Sequence, residues 1–182
     1  VIPQARCTIA LGSCAAYAGL PAAAPNPTGA KGVKDAIGVD TINITGCPPH
    51  PMNLVACITS YLLNNQMPPR RTDGRPYFCH GNTIHSSCTV PHACMEGYNC
   101  KGPRTYNNCH QQLYNEESWC VQAEHQCIGC SEPGFWDMGG FYKPLSTASG
   151  DPLKWASGAA VAGAAVGAAS AMMGRSKRNK IM

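Results

Sequence analysis

The stretch from His85 to Cys130, HSSCTVPHACMEGYNCKGPRTYNNCHQQLYNEESWCVQAEHQCIGC, limits what this chain can become. It holds seven of the chain's twelve cysteines: Cys88, Cys94, Cys100, Cys109, Cys120, Cys127 and Cys130. Few of its residues are aliphatic, so it can bury little apolar surface of its own. Such a segment needs another source of order. Ligation of metal by thiolates is the cheapest one, because binding free energy then becomes folding free energy.

Three chemistries compete for these sulfurs. Disulfides fit an even count of twelve, but a disulfide scaffold of this density usually belongs to a much shorter chain. Zinc could use Cys127-Ile-Gly-Cys130 with a second pair. No second CxxC exists, however, and the other cysteines sit at gaps of 6, 6, 9, 11 and 7 residues. Iron–sulfur clusters accept scattered ligands, because a cubane has separated iron corners. Spacing favours iron–sulfur and leaves zinc and disulfides open.

Upstream of this stretch the chain reads as α/β. Thr8 to Leu11 form a short apolar run that ends in Gly12-Ser13-Cys14, a buried strand followed by a glycine turn. Residues 21–29 are loop, Ala30 to Ile37 are expected to be a short helix, and Thr41 to Thr45 make a β-branched strand stopped by Gly46-Cys47-Pro48-Pro49-His50-Pro51. Two strands with a helix between them imply a parallel crossover. Cys14 and Cys47 then emerge at the carboxyl ends of neighbouring strands, where open α/β sheets place their ligands. Leu54, Val55, Ile58, Tyr61 and Leu62 share one face of a helix running from Pro51 to about Asn64. Cys7, Cys57 and Cys79 read as buried structural thiols. From Met67 regular structure fades into a turn-rich linker. Phe135, Trp136, Phe141 and Tyr142 are expected to cover the cysteine region as an apolar lid.

The net charge of +4 comes from the tail, through Arg175, Lys177, Arg178 and Lys180; the other ten basic residues balance ten acidic ones. No basic patch is interleaved with aromatics, so no nucleic-acid partner is expected. There is no phosphate-binding loop, no GxGxxG and no Ser–His–Asp arrangement. Residues 155–173, WASGAAVAGAAVGAASAMM, carry no charge. Their length is close to the ~20 residues of a membrane helix, with the basic tail on the cytoplasmic side and the body on the periplasmic face. Gly163 and Gly167 form a GxxxG that lets a partner helix approach. No signal peptide or twin-arginine segment opens the chain. The expectation is that an upstream piece is missing or that the protein is naturally split.

The motifs GSCAAYAG, PNPTGA, INITGCPPHP, GRPYF, TIHSSC, NCKGPRTYNNC and CIGCSEPGFWD, spread from about Ala5 to Leu145, resemble the small subunit of nickel–iron hydrogenases. The first half alone also looks like the iron–sulfur subunit next to the quinone in respiratory complex I. That subunit lacks the second cysteine group, so the second half decides. The resemblance implies three clusters in a line. His85, Cys88, Cys94 and Cys100 match the distal 4Fe-4S cluster. Cys109, Cys127 and Cys130 match the medial one, where Cys120 stands in place of a proline common in relatives and could hold a fourth iron. Cys14 and Cys47 match two of four proximal ligands; the other two lie in a CxxC that this sequence lacks. His50 is a candidate to tune the proximal cluster by a hydrogen bond. His80, His92, His110 and His125 read as surface or packing residues.

The resemblance further implies a partial flavodoxin-like parallel sheet over residues 1–66 and a largely irregular iron–sulfur domain over 67–150. A C-terminal membrane helix with its tail would follow over 151–182. The implied function is electron relay from a nickel–iron site in a partner large subunit, through the clusters, to a membrane cytochrome b and quinone. A separate segment or chain carrying the CxxC would complete the proximal site. The alternative is a stand-alone ferredoxin-like carrier.

Overall fold

A computed structural model of the chain describes residues 4–88, 100–113 and 116–136. Contacts divide the chain at residue 145, and all described residues lie in the unit Val1–Leu145. The helix expected at 155–173 lies outside the described residues, as do Phe141 and Tyr142 of the expected lid. Among the described residues no helix is long and apolar enough to cross a membrane.

Two strands, β1 (Ile9–Leu11) and β2 (Ile42–Ile44), pair in parallel, with Ile9 opposite Ile42 and Leu11 opposite Ile44. The connection between them carries two short helices, α1 (Ser13–Tyr17) and α2 (Val33–Ile37). The crossover is the one expected, but α1 is new, and α2 starts three residues later than its sequence suggests. Gly32 caps α2 in an extended conformation. It also lies so close to α1 that a Cβ there would stand 2.4 Å from the Ala16 carbonyl oxygen. Gly32 thus sits in extended conformation against α1, and α2 starts after it at Val33.

Helix α3 (Pro51–Asn64) begins with proline at its first turn and ends on Asn65 in the left-handed conformation, both ordinary boundary devices. The His50 imidazole accepts the Met52 N–H at 3.2 Å and caps the helix. Its inward face differs from the one expected. Asn53 and Cys57 are buried and Leu54 packs inward, whereas Val55, Ile58 and Leu62 face outward. The apolar core of this half is Ile42, Ile44 and Cys57, flanked by Cys7, Ile9, Leu54 and Met67. Complete burial of each isoleucine contributes roughly 1.5–3 kcal/mol.

After Met67 the chain runs through short pieces, namely α4 (Tyr77–His80), α5 (Cys109–Gln112) and single 3-10 turns at His85–Ser87 and Gly102–Arg104. Isolated bridges join Arg70 to Pro76 and Thr83 to Tyr106. A small apolar cluster of Ile84, Trp119 and Val121 is surrounded by Cys88, Cys109, Leu113 and Cys127. Beside it lies a polar knot. The Arg75 guanidinium, 2% exposed, forms ion pairs with Asp73 at 2.8 Å and Glu132 at 2.7 Å and donates to the Ser131 carbonyl. Glu132 also accepts the Tyr106 N–H at 2.7 Å, and Arg71 stacks 3.8 Å from the centre of the Tyr106 ring.

Candidate metal centres

The parallel register sets the first pair of sulfurs. Leu11 is opposite Ile44, and Cys14 and Cys47 each follow three residues later, beyond the carboxyl ends of β1 and β2. The two turns are held together by Ser13 N–H donating to the Gly46 carbonyl at 3.0 Å and Gly46 N–H donating to Ser13 Oγ at 3.1 Å. Both cysteines are exposed. Gly19, with φ of 47°, closes over Cys14; a Cβ there would lie 3.1 Å from the Cys14 sulfur. The backbone thus comes right up to the thiol, in a conformation that side chains resist.

The second group gathers around Gly102. A Cβ on this glycine would stand 3.4 Å from the Cys100 sulfur and 3.5 Å from the His85 backbone nitrogen. The 3-10 turn starting at His85 leads into Cys88, whose N–H donates to the His85 carbonyl at 3.3 Å. His85, Cys88 and Cys100 therefore share one locality. Cys94 lies outside the described residues.

The third group forms where residues 105–109 meet residues 119–131. Cys109 and Cys127 both pack on the Ile84–Trp119–Val121 cluster. The Cys127 N–H donates to the Cys100 sulfur at 3.3 Å, and Lys101 N–H donates to the Cys127 carbonyl at 2.8 Å. Burial pushes the Cys127 thiol up to about 12, against hydrogen bonds from Gly129 and Thr105 that favour the thiolate. Burial likewise raises Cys120, which sits within electrostatic reach of Cys100. A buried thiol of this kind keeps its proton unless a cation takes the proton's place.

The first and third groups are joined by buried polar contacts. Ser13 Oγ–H donates to the Cys130 carbonyl. Asn53 on α3 and Asn108, which precedes Cys109, exchange two amide hydrogen bonds of 3.0 Å each. His80, fully buried, accepts the Thr45 N–H on Nε2 at 3.3 Å and donates from Nδ1 to the Tyr106 carbonyl at 2.9 Å. That arrangement requires the neutral ring, and burial lowers its pKa to about 4.

His80 is thus a packing residue, as expected. His110 rests edge-on against Trp119 with ring centres 6.3 Å apart, and the His125 Nδ1 contacts the Gln126 carbonyl. His50 is occupied in capping α3. His92 lies outside the described residues. Phe135 is buried, with Trp136 edge-on at 6.0 Å. Sequence reasoning missed Ser13, Asn53, Asn108, Arg75 and Glu132. For Ser13, Asn108 and Glu132 the one signal was adjacency to a cysteine motif, as in G-S-C, N-N-C and C-S-E; Asn53 and Arg75 had none.

The donor set suits iron–sulfur clusters better than a single ion. None of the eleven described cysteines forms a disulfide. Among the described residues no three of His, Cys, Asp or Glu converge as they would around one metal ion. Thiols drawn from separate segments are the donor type that iron–sulfur clusters take. The closeness of Gly19 to Cys14 adds a cradle that any Cβ would fill.

Comparison with known proteins gives the same frame. Residues 71–143 match the family profile of the C-terminal region of the NiFe/NiFeSe hydrogenase small subunit, and residues 1–61 match that of the NADH ubiquinone oxidoreductase 20 Kd subunit. The chain is 42% identical over 159 residues to the periplasmic [NiFe] hydrogenase small subunit 1 of Nitratidesulfovibrio vulgaris, covering 75% of this chain and 50% of that one. It is 36% identical to the quinone-reactive Ni/Fe-hydrogenase small chain of Wolinella succinogenes, covering 79% and 46%. A solved [NiFeSe]-hydrogenase of Desulfomicrobium baculatum superposes with a TM-score of 0.70 at 36% identity, over 78% of this chain and 60% of that one. The chain spans about half the length of the curated relatives it matches. With identity of 42% over 75% of its length to one such subunit, the chain belongs to the family of nickel–iron hydrogenase small subunits.

Proposed function

We propose that this chain conducts electrons for a nickel–iron hydrogenase. It would relay those released from hydrogen at the nickel–iron site of a partner large subunit to a membrane acceptor such as a cytochrome b, with quinone beyond. One observation carries the reading: the ligand groups touch in succession. Ser13, next to Cys14, reaches Cys130, and Cys127 reaches Cys100. A set of unrelated structural metal sites has no need of such a sequence.

Bound iron–sulfur clusters would supply reversible one-electron chemistry. The chain's own residues hold and align them. Cys14 and Cys47 would hold the proximal cluster together with a CxxC from a separate segment or chain. Cys109, Cys120, Cys127 and Cys130 would hold a medial 4Fe-4S cluster, and His85, Cys88, Cys94 and Cys100 the distal one. Imidazole in place of thiolate removes a negative charge and tends to raise the potential at the exit end. Residues 1–66 would be the C-terminal part of a flavodoxin-like domain and 67–150 the iron–sulfur domain. Residues 151–182 would form a membrane helix and cytoplasmic tail, with the body on the periplasmic face. The quinone-reactive name of the Wolinella relative supports the acceptor.

Anaerobic purification of the chain with whatever it retains is the test. The preparation should be brown, carry iron and acid-labile sulfide, bleach with dithionite and bring a nickel-bearing large chain. A colourless preparation devoid of iron ends the reading, and a coloured chain that runs alone makes it a stand-alone carrier. EPR of the oxidised protein tests Cys120, since a strong three-iron signal from the medial site excludes four irons there.

A further inference from the structure

The contacts that join the first and third sulfur groups are not equivalent as paths. From Cys47 one route runs back through Thr45, across two hydrogen bonds of His80, and on through Tyr106 and Asn107 to Cys109. Another must traverse the first turn of α3 before crossing the Asn53–Asn108 amides. Ser13 offers a much shorter one. It is bonded directly to Cys14, and its hydroxyl donates to the carbonyl of Cys130 itself. The same oxygen accepts the N–H of Gly46, the neighbour of Cys47. The backbone beside each cysteine of the first group therefore leads to one hydroxyl, and that hydroxyl ends on a residue of the third. Ser13 is 1% exposed, so no water competes for these bonds and the hydroxyl cannot turn away without leaving buried partners unsatisfied.

We propose that Ser13 is the bridge over which an electron passes between the centre held by Cys14 and Cys47 and the centre held in part by Cys130. The proposal rests on the function proposed above. One electron leaves the reduced centre on the Cys14 side and enters the oxidised centre on the Cys130 side. No bond forms or breaks, and the hydroxyl proton stays on Ser13. Ser13 acts as a positioning residue that also supplies the covalent and hydrogen-bonded path.

The test uses the complete assembled enzyme as parent, Ser13→Ala and Ser13→Thr. Iron, acid-labile sulfide and melting temperature are measured first. Rapid freeze-quench EPR then follows reduction of the centre on the Cys130 side after mixing with hydrogen, and the magnetic interaction between the two centres is read from the same spectra. Ser13→Ala should keep its clusters, reduce that centre several-fold more slowly and show a weaker interaction. Ser13→Thr, which keeps the hydroxyl, should recover both. Full iron content with parental rate and parental interaction in Ser13→Ala overturns the proposal, as does a Ser13→Thr no better than the alanine. A purely structural serine would change melting and leave the rate per intact centre alone. If the alanine variant loses iron, Ser13→Cys replaces it in the same comparison, since a thiol fills the space but donates weakly. A parent without iron would instead sink the functional reading.

Discussion

Replacing Arg75 by methionine keeps most of the volume and removes the charge. The guanidinium is 2% exposed and lies between Asp73, 26% exposed, and Glu132, 12% exposed. Burial works against the charge, yet the hydrogen bonds that Arg75 donates to Glu132 and Asp73 outweigh it, and Arg75 is held charged far above any accessible pH. Burial opposes ionisation of Asp73 too, and the Arg75 hydrogen bonds overcome that and bring it below its ordinary value. Without Arg75 both carboxylates lose their main partner in a half-dry site, and Arg71 at 3.5 Å from Asp73 and the Tyr106 N–H on Glu132 offset only part of the loss. Breaking one side of a buried pair costs about 3–5 kcal/mol. For a chain of this size that lowers the melting temperature by about 10 °C or more. Thermal unfolding of the assembled protein, followed by circular dichroism and by iron release, reads the effect. Iron should be lost early, because Arg75 also holds the Ser131 carbonyl next to Cys130. Adding Asp73→Asn and Glu132→Gln should recover part of the loss, since the charges left behind carry much of the cost. An Arg75→Met protein melting within about 2 °C of its parent, or a triple variant no more stable than the single one, refutes the argument.

His80 gives a pH dependence. Its folded pKa of about 4 lies below the ordinary 6.5. The stability it contributes is thus fully present above pH 6.5 and is lost as pH falls toward 4, to a total of about 3 kcal/mol. Urea unfolding between pH 7 and 4 should show this slope, and His80→Gln should flatten it. Asn53→Ala orphans the Asn108 amide and should cost about 1–3 kcal/mol. Adding Asn108→Ala should cost less than a second equal loss, measurable as a coupling in a double-mutant cycle. Cys120→Ser should convert the medial site to one giving a three-iron EPR signal on oxidation, and a spectrum identical to the parent's removes Cys120 from the ligands.

The sheet and its cysteines were legible because local signals agreed. β-branched runs ended in Gly-Ser-Cys and Gly-Cys-Pro, and a helix start followed at Pro51. The face of α3 was misjudged because apolar periodicity cannot tell an inward stripe from an outward one. Asn53 is drawn inside by Asn108, 55 residues away, and Val55 and Ile58 are turned out. The grouping of the cysteines into ligand sets was an expectation from resemblance, and the links between the groups could not be read at all. Ser13 and Cys130 are separated by 117 positions, and no pattern within either segment announces the other. The same holds for Glu132, whose partners Arg75 and the Tyr106 N–H lie 57 and 26 positions away.

The Asn53–Asn108 pair has a consequence for recombination. Each amide both donates to and accepts from the other, so a change at one position leaves buried polar groups of its counterpart unmatched. A chimera that takes α3 from one relative and the segment around α5 from another would inherit half a handshake. Grafts between members of this family should therefore carry both asparagines or neither, wherever else the crossover falls.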